Sequence, residues 1–78
     1  MTHKARIVEY LRRHGSITRM EAFRELGITE LSRPILELEA LGFRIRRYPT
    51  VVPTRVGESA RVVKYVLRAT PKDWREAV

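Results

Sequence analysis

The chain has 78 residues, a formal net charge of +7 and no cysteine. A single domain of this length has little room for an enclosed substrate cavity, and the absence of cysteine excludes disulfides, thiol catalysis and thiolate-bound metals. No apolar run reaches the ~18 residues that a membrane-spanning helix requires, and the first residues lack the apolar core of a signal peptide, so we expect a cytoplasmic protein.

Apolar spacing and end signals predict the first two helices. A helix over about residues 2–14 is indicated by apolar residues on one face, followed by Gly15. Thr18 and Glu21 have the spacing of a capping box, in which each side chain accepts from the other residue's backbone N–H, so a second helix begins near residue 19. Gly27 ends this helix. The predicted core-facing residues are Ile7, Val8 and Leu11 in the first helix and Ala22, Phe23 and Leu26 in the second.

A third helix follows the link Leu26-Gly27-Ile28-Thr29, which has the form that a helix-turn-helix needs. Its predicted core residues are Leu31, Ile35, Leu38 and Leu41, and Gly42 ends it. Two starting points are open. With Thr29 as the N-cap, Pro34 lies one turn into the helix and removes one backbone hydrogen bond; with a start at Ser32, Pro34 falls in the first turn, where proline is tolerated.

Two basic strands follow the helices. Strands over about residues 43–52 and 61–67 are predicted from their β-branched residues, with a turn at residues 53–58 between them. Residues 44–68 hold seven bases and one acid, so this segment carries +6 of the total charge. If strand alternation leaves the bases together on one face, we expect that face to be a ligand surface rather than one that only makes the protein soluble. A short third strand is expected at residues 16–17.

We expect one domain over residues 1–70 and a C-terminal tail over residues 71–78, which adds one helical turn. Trp74 in the tail has two open roles, as a lid on the first helix or as part of a dimer contact. No enzyme activity is expected, because the only aspartate is Asp73 and no glycine-rich phosphate loop is present. His3 and His14 have no third ligand in register, so we expect no metal and no other cofactor.

The order and spacing of these signals resemble a known family. The segments that carry the resemblance are Ser16-Ile17-Thr18-x-x-Glu21-Ala22, Leu26-Gly27-Ile28-Thr29-x-Leu31-Ser32-x-x-Ile35-x-x-Leu38, Val52-Pro53-x-Arg55-x-Gly57 and Tyr65-x-Leu67. They are similar to the small winged helix-turn-helix proteins common in phages and prophages, over about residues 5–68. The resemblance implies an α+β fold with three helices and a two-stranded wing. It also implies DNA binding, with the third helix in the major groove and the wing against the backbone or minor groove.

Carried over by position, the resemblance implies residues on the third helix that face the groove and residues on the wing that contact the backbone. The groove-facing residues are Glu30, Arg33, Pro34 and Glu37, and the wing residues are Arg55, Arg61 and Lys64. Arg19, Arg46 and Arg47 complete the predicted nucleic-acid surface. The third helix departs from the family pattern, because it has one basic and three acidic residues. Its net charge of −2 makes it a poor partner for phosphates.

Two functions from different classes remain open. The first is a DNA-binding regulator or accessory factor of a phage or mobile element, which grips double-stranded DNA and is expected to act as a homodimer. The second is a protein-interaction module, an inhibitor of a host or competing protein, which the acidic third helix favours. A basic winged helix can also hold an A-form RNA backbone. No membrane partner and no small-molecule substrate is expected.

Overall fold

The computed structural model describes residues 2–78 and, within them, shows helices and strands in the order α1-β1-α2-α3-β2-β3-α4. The helices are α1 His3–His14, α2 Arg19–Leu26, α3 Ser32–Ala40 and α4 Trp74–Ala77, and the strands are β1 Ser16–Thr18, β2 Arg44–Pro53 and β3 Ser59–Ala69. The predicted α+β class, the three helices before the hairpin and the helical turn in the tail are confirmed.

The first two helices begin and end where local chemistry predicts. Thr18 Oγ1 accepts from the backbone N–H of Glu21 at 3.2 Å, and Glu21 Oε1 accepts from the backbone N–H of Thr18 at 2.9 Å. This confirms the capping box. Gly15 and Gly27 follow α1 and α2 with φ of 86° and 68°, a left-handed conformation that glycine adopts without a steric penalty.

The third helix takes the later of its two possible starts. Its N-cap is Leu31, which makes no side-chain cap hydrogen bond, so Thr29 is not the cap. The Glu30 carboxylate instead accepts from the backbone N–H of Arg33 at 3.3 Å. Pro34 then lies in the first turn, where no intrahelical donor is needed. A helix capped by Thr29 would have required a hydrogen bond that the proline nitrogen cannot donate.

The core lies between α1, α2, α3 and one face of the sheet. Its buried members are Ile7, Val8, Leu11, Ile17, Ala22, Ile28, Leu31, Ile35, Leu38, Phe43, Ile45 and Tyr65. The prediction for Leu41 is wrong, because its side chain is 38 % exposed. The helix ends at Ala40, and the chain turns at Gly42 with φ of 104°. That turn directs Phe43 into the core in place of Leu41.

The sheet has the order β1-β3-β2, and both strand pairs are antiparallel. The predicted third strand is confirmed and extends to Thr18. In the hairpin, Arg47 pairs with Tyr65, Tyr48 with Lys64 and Val51 with Arg61. The turn is closed by the backbone N–H of Thr54, which donates to the Glu58 carbonyl at 2.8 Å. The hairpin gives the molecule an elongated shape of 45 × 22 × 21 Å.

The C-terminal tail folds back on α1. Trp74 is half-buried against the core, and the Arg12 guanidinium lies 4.5 Å from the centroid of its ring. Val78 also packs on the core, and the Thr2 hydroxyl donates to its carbonyl at 3.3 Å. These contacts match the first of the two roles expected for Trp74, a lid on the first helix. The boundary between domain and tail at residue 70 stays a prediction.

Candidate nucleic-acid interface

The register of the hairpin divides its bases between the two faces of the sheet. Ile45 and Tyr65 belong to the buried core, so strand residues in phase with them face the helices. Arg47 and Arg61 are in that phase. The opposite phase holds Arg46 and Lys64, and Arg44, which stands between the buried Phe43 and Ile45, also points to that side. The register is irregular between Arg44 and Ile45 and leaves Arg68 without a partner in β2, so alternation does not assign a face to Arg68, which lines a cleft with Leu11 and Gly15. The alternation therefore divides the bases between the two faces and does not bring all of them together, because consecutive residues of a strand point to opposite sides.

An open groove lies on the helix side of the sheet, between the start of α2, the start of α3 and β3. Its volume is about 770 Å³, and its walls include Arg19, Thr29, Ser32 and Arg61. Arg19 and Arg61 are far apart in sequence, and the fold places both on this groove. Thr29 and Ser32 bring the beginning of the third helix to the same surface. Two of the predicted nucleic-acid residues thus belong to one concave surface.

Exposed apolar side chains also line this groove, which the sequence did not predict. Met20 is 64 % exposed, Phe23 is 57 % exposed and Val63 is 41 % exposed. The prediction that Phe23 faces the core is wrong. Of the apolar residues predicted for α2, Ala22 is buried and Leu26 is half-buried. These two are four residues apart on one helical face, and Phe23 lies about 100° away from Ala22 around the helix.

The exposed face of α3 presents Arg33, Leu36 and Glu37. Leu36 is 60 % exposed, whereas Pro34 is buried. Pro34 is therefore not a groove-facing residue, because it lies on the same side of the helix as the buried Ile35 and Leu38. Leu36 is not among the residues predicted from the sequence, although its position in the helical period, between Arg33 and Glu37, is a signal for exposure.

Two acids at α3 make contacts within the chain. The Glu30 carboxylate accepts a hydrogen bond from the backbone N–H of Arg33. Glu39 forms a bidentate salt bridge with Arg47, with N–O distances of 2.8 and 3.3 Å. The hydrogen bond from Arg47 to Glu39 raises the pKa of Arg47, and its guanidinium lies 5.5 Å from the centroid of the Tyr65 ring. The net charge of −2 therefore overstates the repulsion between α3 and a phosphate backbone.

The remaining predicted residues lie at separate places. Arg55 is exposed in the turn at the tip of the wing. Arg33 lines a shallow cleft beside Lys4, Glu30 and Glu37, outside the groove of Arg19 and Arg61. The structure thus brings Arg19 and Arg61 together and places Arg33 with Glu30 and Glu37 on the adjoining surface of α3.

None of the helices within residues 2–78 has the length and apolar character needed to cross a membrane. Over the same residues, no group of three or more His, Cys, Asp or Glu side chains is placed to hold a metal ion.

Comparison with known proteins supports the fold. A family model described as a winged helix-turn-helix domain matches residues 2–70. The match covers α1, α2, α3 and the complete hairpin, and it ends just before the tail that carries Trp74. Comparisons with curated proteins and with solved structures gave no match.

Proposed function

Because this chain belongs to the winged helix-turn-helix domain family, we propose that it binds double-stranded DNA through the groove on the helix side of its sheet. The observation that carries the proposal is the placement of Arg19 and Arg61 on one concave surface with the start of α3. Guanidinium groups on both sides of a groove are suited to phosphates, which they contact by paired N–H donors.

Contacts to the phosphate backbone and contacts to the base edges have different roles in this proposal. Arg19 and Arg61 hold the phosphate backbone and set the orientation of the protein on the duplex. Arg33, Leu36 and Glu37 then face the base edges in the major groove. Arginine pairs with guanine, a carboxylate accepts from cytosine N4, and an apolar side chain contacts the methyl group of thymine. The exposed face of α3 therefore supports sequence selectivity, while the affinity comes mainly from the basic side chains of the protein.

The test is a salt titration of duplex binding with a charge-reversal variant. For the natural protein, we expect binding to mixed-sequence duplex to weaken steeply as salt rises from about 50 mM, because phosphate contacts release counterions. Arg61→Glu should nearly abolish the binding. Arg13→Glu makes the same charge change on an exposed position of α1 outside the groove and should retain most of it. Equal losses in the two variants would contradict the proposed groove.

The finer role that we propose is transcription regulation or an accessory function in a phage or mobile element, in the cytoplasm. It is supported by the family resemblance and by the selective face of α3. We also propose that the protein binds DNA as a homodimer, because DNA-binding dimers with two-fold symmetry recognise paired half-sites. Light-scattering masses of the free protein and of its duplex complex measure the stoichiometry. One chain per duplex at saturation would exclude the homodimer.

A protein partner is the second candidate function. The observation that favours it is the set of exposed apolar side chains, Met20, Phe23 and Val63, that line the same groove as Arg19 and Arg61. Such a groove fits a segment that has apolar and acidic residues, whether from a host protein or a competing one. The absence of salt-sensitive duplex binding by micromolar protein at about 50 mM salt would favour this function over DNA binding.

A further inference from the structure

The face of the sheet turned away from the helices carries a second group of bases. Four residues point outward on this face, and we call them the outer-face cluster: Arg44, Arg46, Tyr48 and Lys64. Tyr48 lies directly opposite Lys64 in the hairpin, and Arg46 lies opposite Val66. Arg44 stands between the buried residues Phe43 and Ile45, so it also points outward. The groove proposed for duplex DNA lies on the other side of the sheet and does not use these residues.

The charge of the outer-face cluster is not balanced by neighbouring acids. Its three bases have no ion-pair partner among the described residues, where the ion pairs are Arg24–Glu25 and Arg47–Glu39. The outward positions of all three strands contain no aspartate or glutamate. Side chains opposite each other or two apart on one strand are separated by about 5–7 Å. Like charges at that spacing repel, and a polyanion would relieve the repulsion.

The exposed ring of Tyr48 favours a single strand over a duplex as the ligand. Its ring is 41 % exposed, directly across from Lys64 and two residues from Arg46. In a duplex the faces of the bases are stacked on one another and cannot reach an aromatic side chain. An unpaired base can stack on such a ring while the neighbouring cations contact its phosphates.

We propose that the outer-face cluster binds single-stranded nucleic acid. Arg44, Arg46 and Lys64 contact the phosphates, and one base stacks on Tyr48. Since Arg61 and Lys64 are on opposite faces of β3, a duplex in the groove and a single strand on the outer face do not compete. The molecule can therefore hold a duplex and an unpaired strand at the same time.

The first experiment measures binding of a fluorescent oligo(dT) of roughly 12 nucleotides, within the site sizes known for single-strand binders. Anisotropy is recorded with the full chain, alone and with saturating unlabelled duplex. We expect the single strand to bind in both conditions. Displacement of the strand by duplex, or no binding of the strand, would overturn the inference. A failure of duplex binding alone would instead overturn the proposed function.

Charge reversal then separates the two surfaces. The double variant Arg46→Glu/Lys64→Glu should weaken single-strand binding by at least about ten-fold, because two phosphate contacts become repulsive. Arg13→Glu/Lys72→Glu has the same total charge, alters exposed positions outside the cluster, and should weaken it much less. Arg61→Glu should show the opposite preference, with duplex binding lost and single-strand binding retained. Equal losses in the two double variants would contradict the outer-face site.

Stacking is tested at Tyr48. Tyr48→Ala should lower the affinity for oligo(dT) by about ten-fold, whereas Tyr48→Phe should keep it, because the ring supplies the contact. Circular dichroism confirms that each variant is folded, and Arg46→Gln/Lys64→Gln is a milder pair if charge reversal disturbs the sheet. If Tyr48→Ala has no effect, or if the cluster binds anionic phosphatidylglycerol vesicles but not oligo(dT), the single-strand assignment is wrong.

Discussion

Glu39 and Arg47 show how one side-chain contact changes the electrostatics of the third helix. Their side chains are 32 % and 41 % exposed, so the pair contributes at most about 1 kcal/mol to stability. Its larger effect is on charge, because each residue neutralises the other at the junction of α3 and β2. Arg47 is also positioned by Tyr65, which lines the groove. Arg47 is therefore close to the proposed DNA surface but is held by an acid of its own chain.

Removing the acid should release this arginine. We expect Glu39→Gln to raise the affinity for duplex several-fold at about 50 mM salt, because one more cation becomes available for phosphate. Its free energy of unfolding should change by less than about 1 kcal/mol. Binding isotherms and urea titrations measure the two effects. Glu9→Gln makes the same charge change on the exposed side of α1. An equal gain from Glu9→Gln would show that only the net charge matters.

At the scale of the elements, the helix ends position the two halves of the groove. The capping box of Thr18 and Glu21 fixes the first turn of α2, from which Arg19 extends. The late start of α3 at Ser32 leaves Thr29 exposed in the link, where it lines the groove without capping a helix. Two threonines with similar sequence settings therefore have different structural roles.

Alanine substitution of these threonines distinguishes the roles. Thr18→Ala should lower the free energy of unfolding by about 0.5–2 kcal/mol, because the backbone N–H of Glu21 loses its acceptor. Thr29→Ala should change it by less than about 0.5 kcal/mol, as expected for an exposed residue outside such features. Urea denaturation followed by circular dichroism measures both. A similar loss in Thr29→Ala would indicate that α3 begins earlier than Ser32.

For the whole molecule, the distribution of charge is as important as its sum. The net charge of +7 is concentrated in a hairpin that extends away from the helices, with bases on both faces of a thin sheet. Both faces of the hairpin therefore have a positive electrostatic potential, and the basic side chains repel one another in the absence of a polyanion. We therefore expect the same basic residues to favour the proposed nucleic-acid binding and to reduce the stability of the free protein.

Salt should consequently affect folding and binding in opposite directions. Raising sodium chloride from about 50 to 500 mM should increase the Tm of the free protein, because screening weakens repulsion among the bases. Over the same range, duplex affinity should fall. Thermal unfolding followed by circular dichroism measures the Tm. Arg46→Glu/Lys64→Glu, which removes much of the repulsion on the outer face, should show a smaller increase. A Tm that falls with salt would contradict this account.

Local features of this protein follow from its sequence. The capping box of Thr18 and Glu21 and the left-handed glycines Gly15 and Gly27 depend on backbone contacts a few residues away, so neighbouring residues determine them. The helical spacing of Ile35 and Leu38 likewise determines which side of α3 is buried. Together these signals were enough to predict the order of the helices, the hairpin and the fold class.

Tertiary structure decided which residues share a surface. The pairing of Arg47 with Tyr65 sets the register, and a slip of one residue would exchange the faces of Arg46 and Arg47. The pair between Glu39 and Arg47 and the groove between Arg19 and Arg61 each join elements separated along the chain. Their geometry depends on how α2 and α3 pack against the sheet. The sequence by itself therefore determined the elements and their ends, whereas the packing of those elements decided the two faces on which the bases lie.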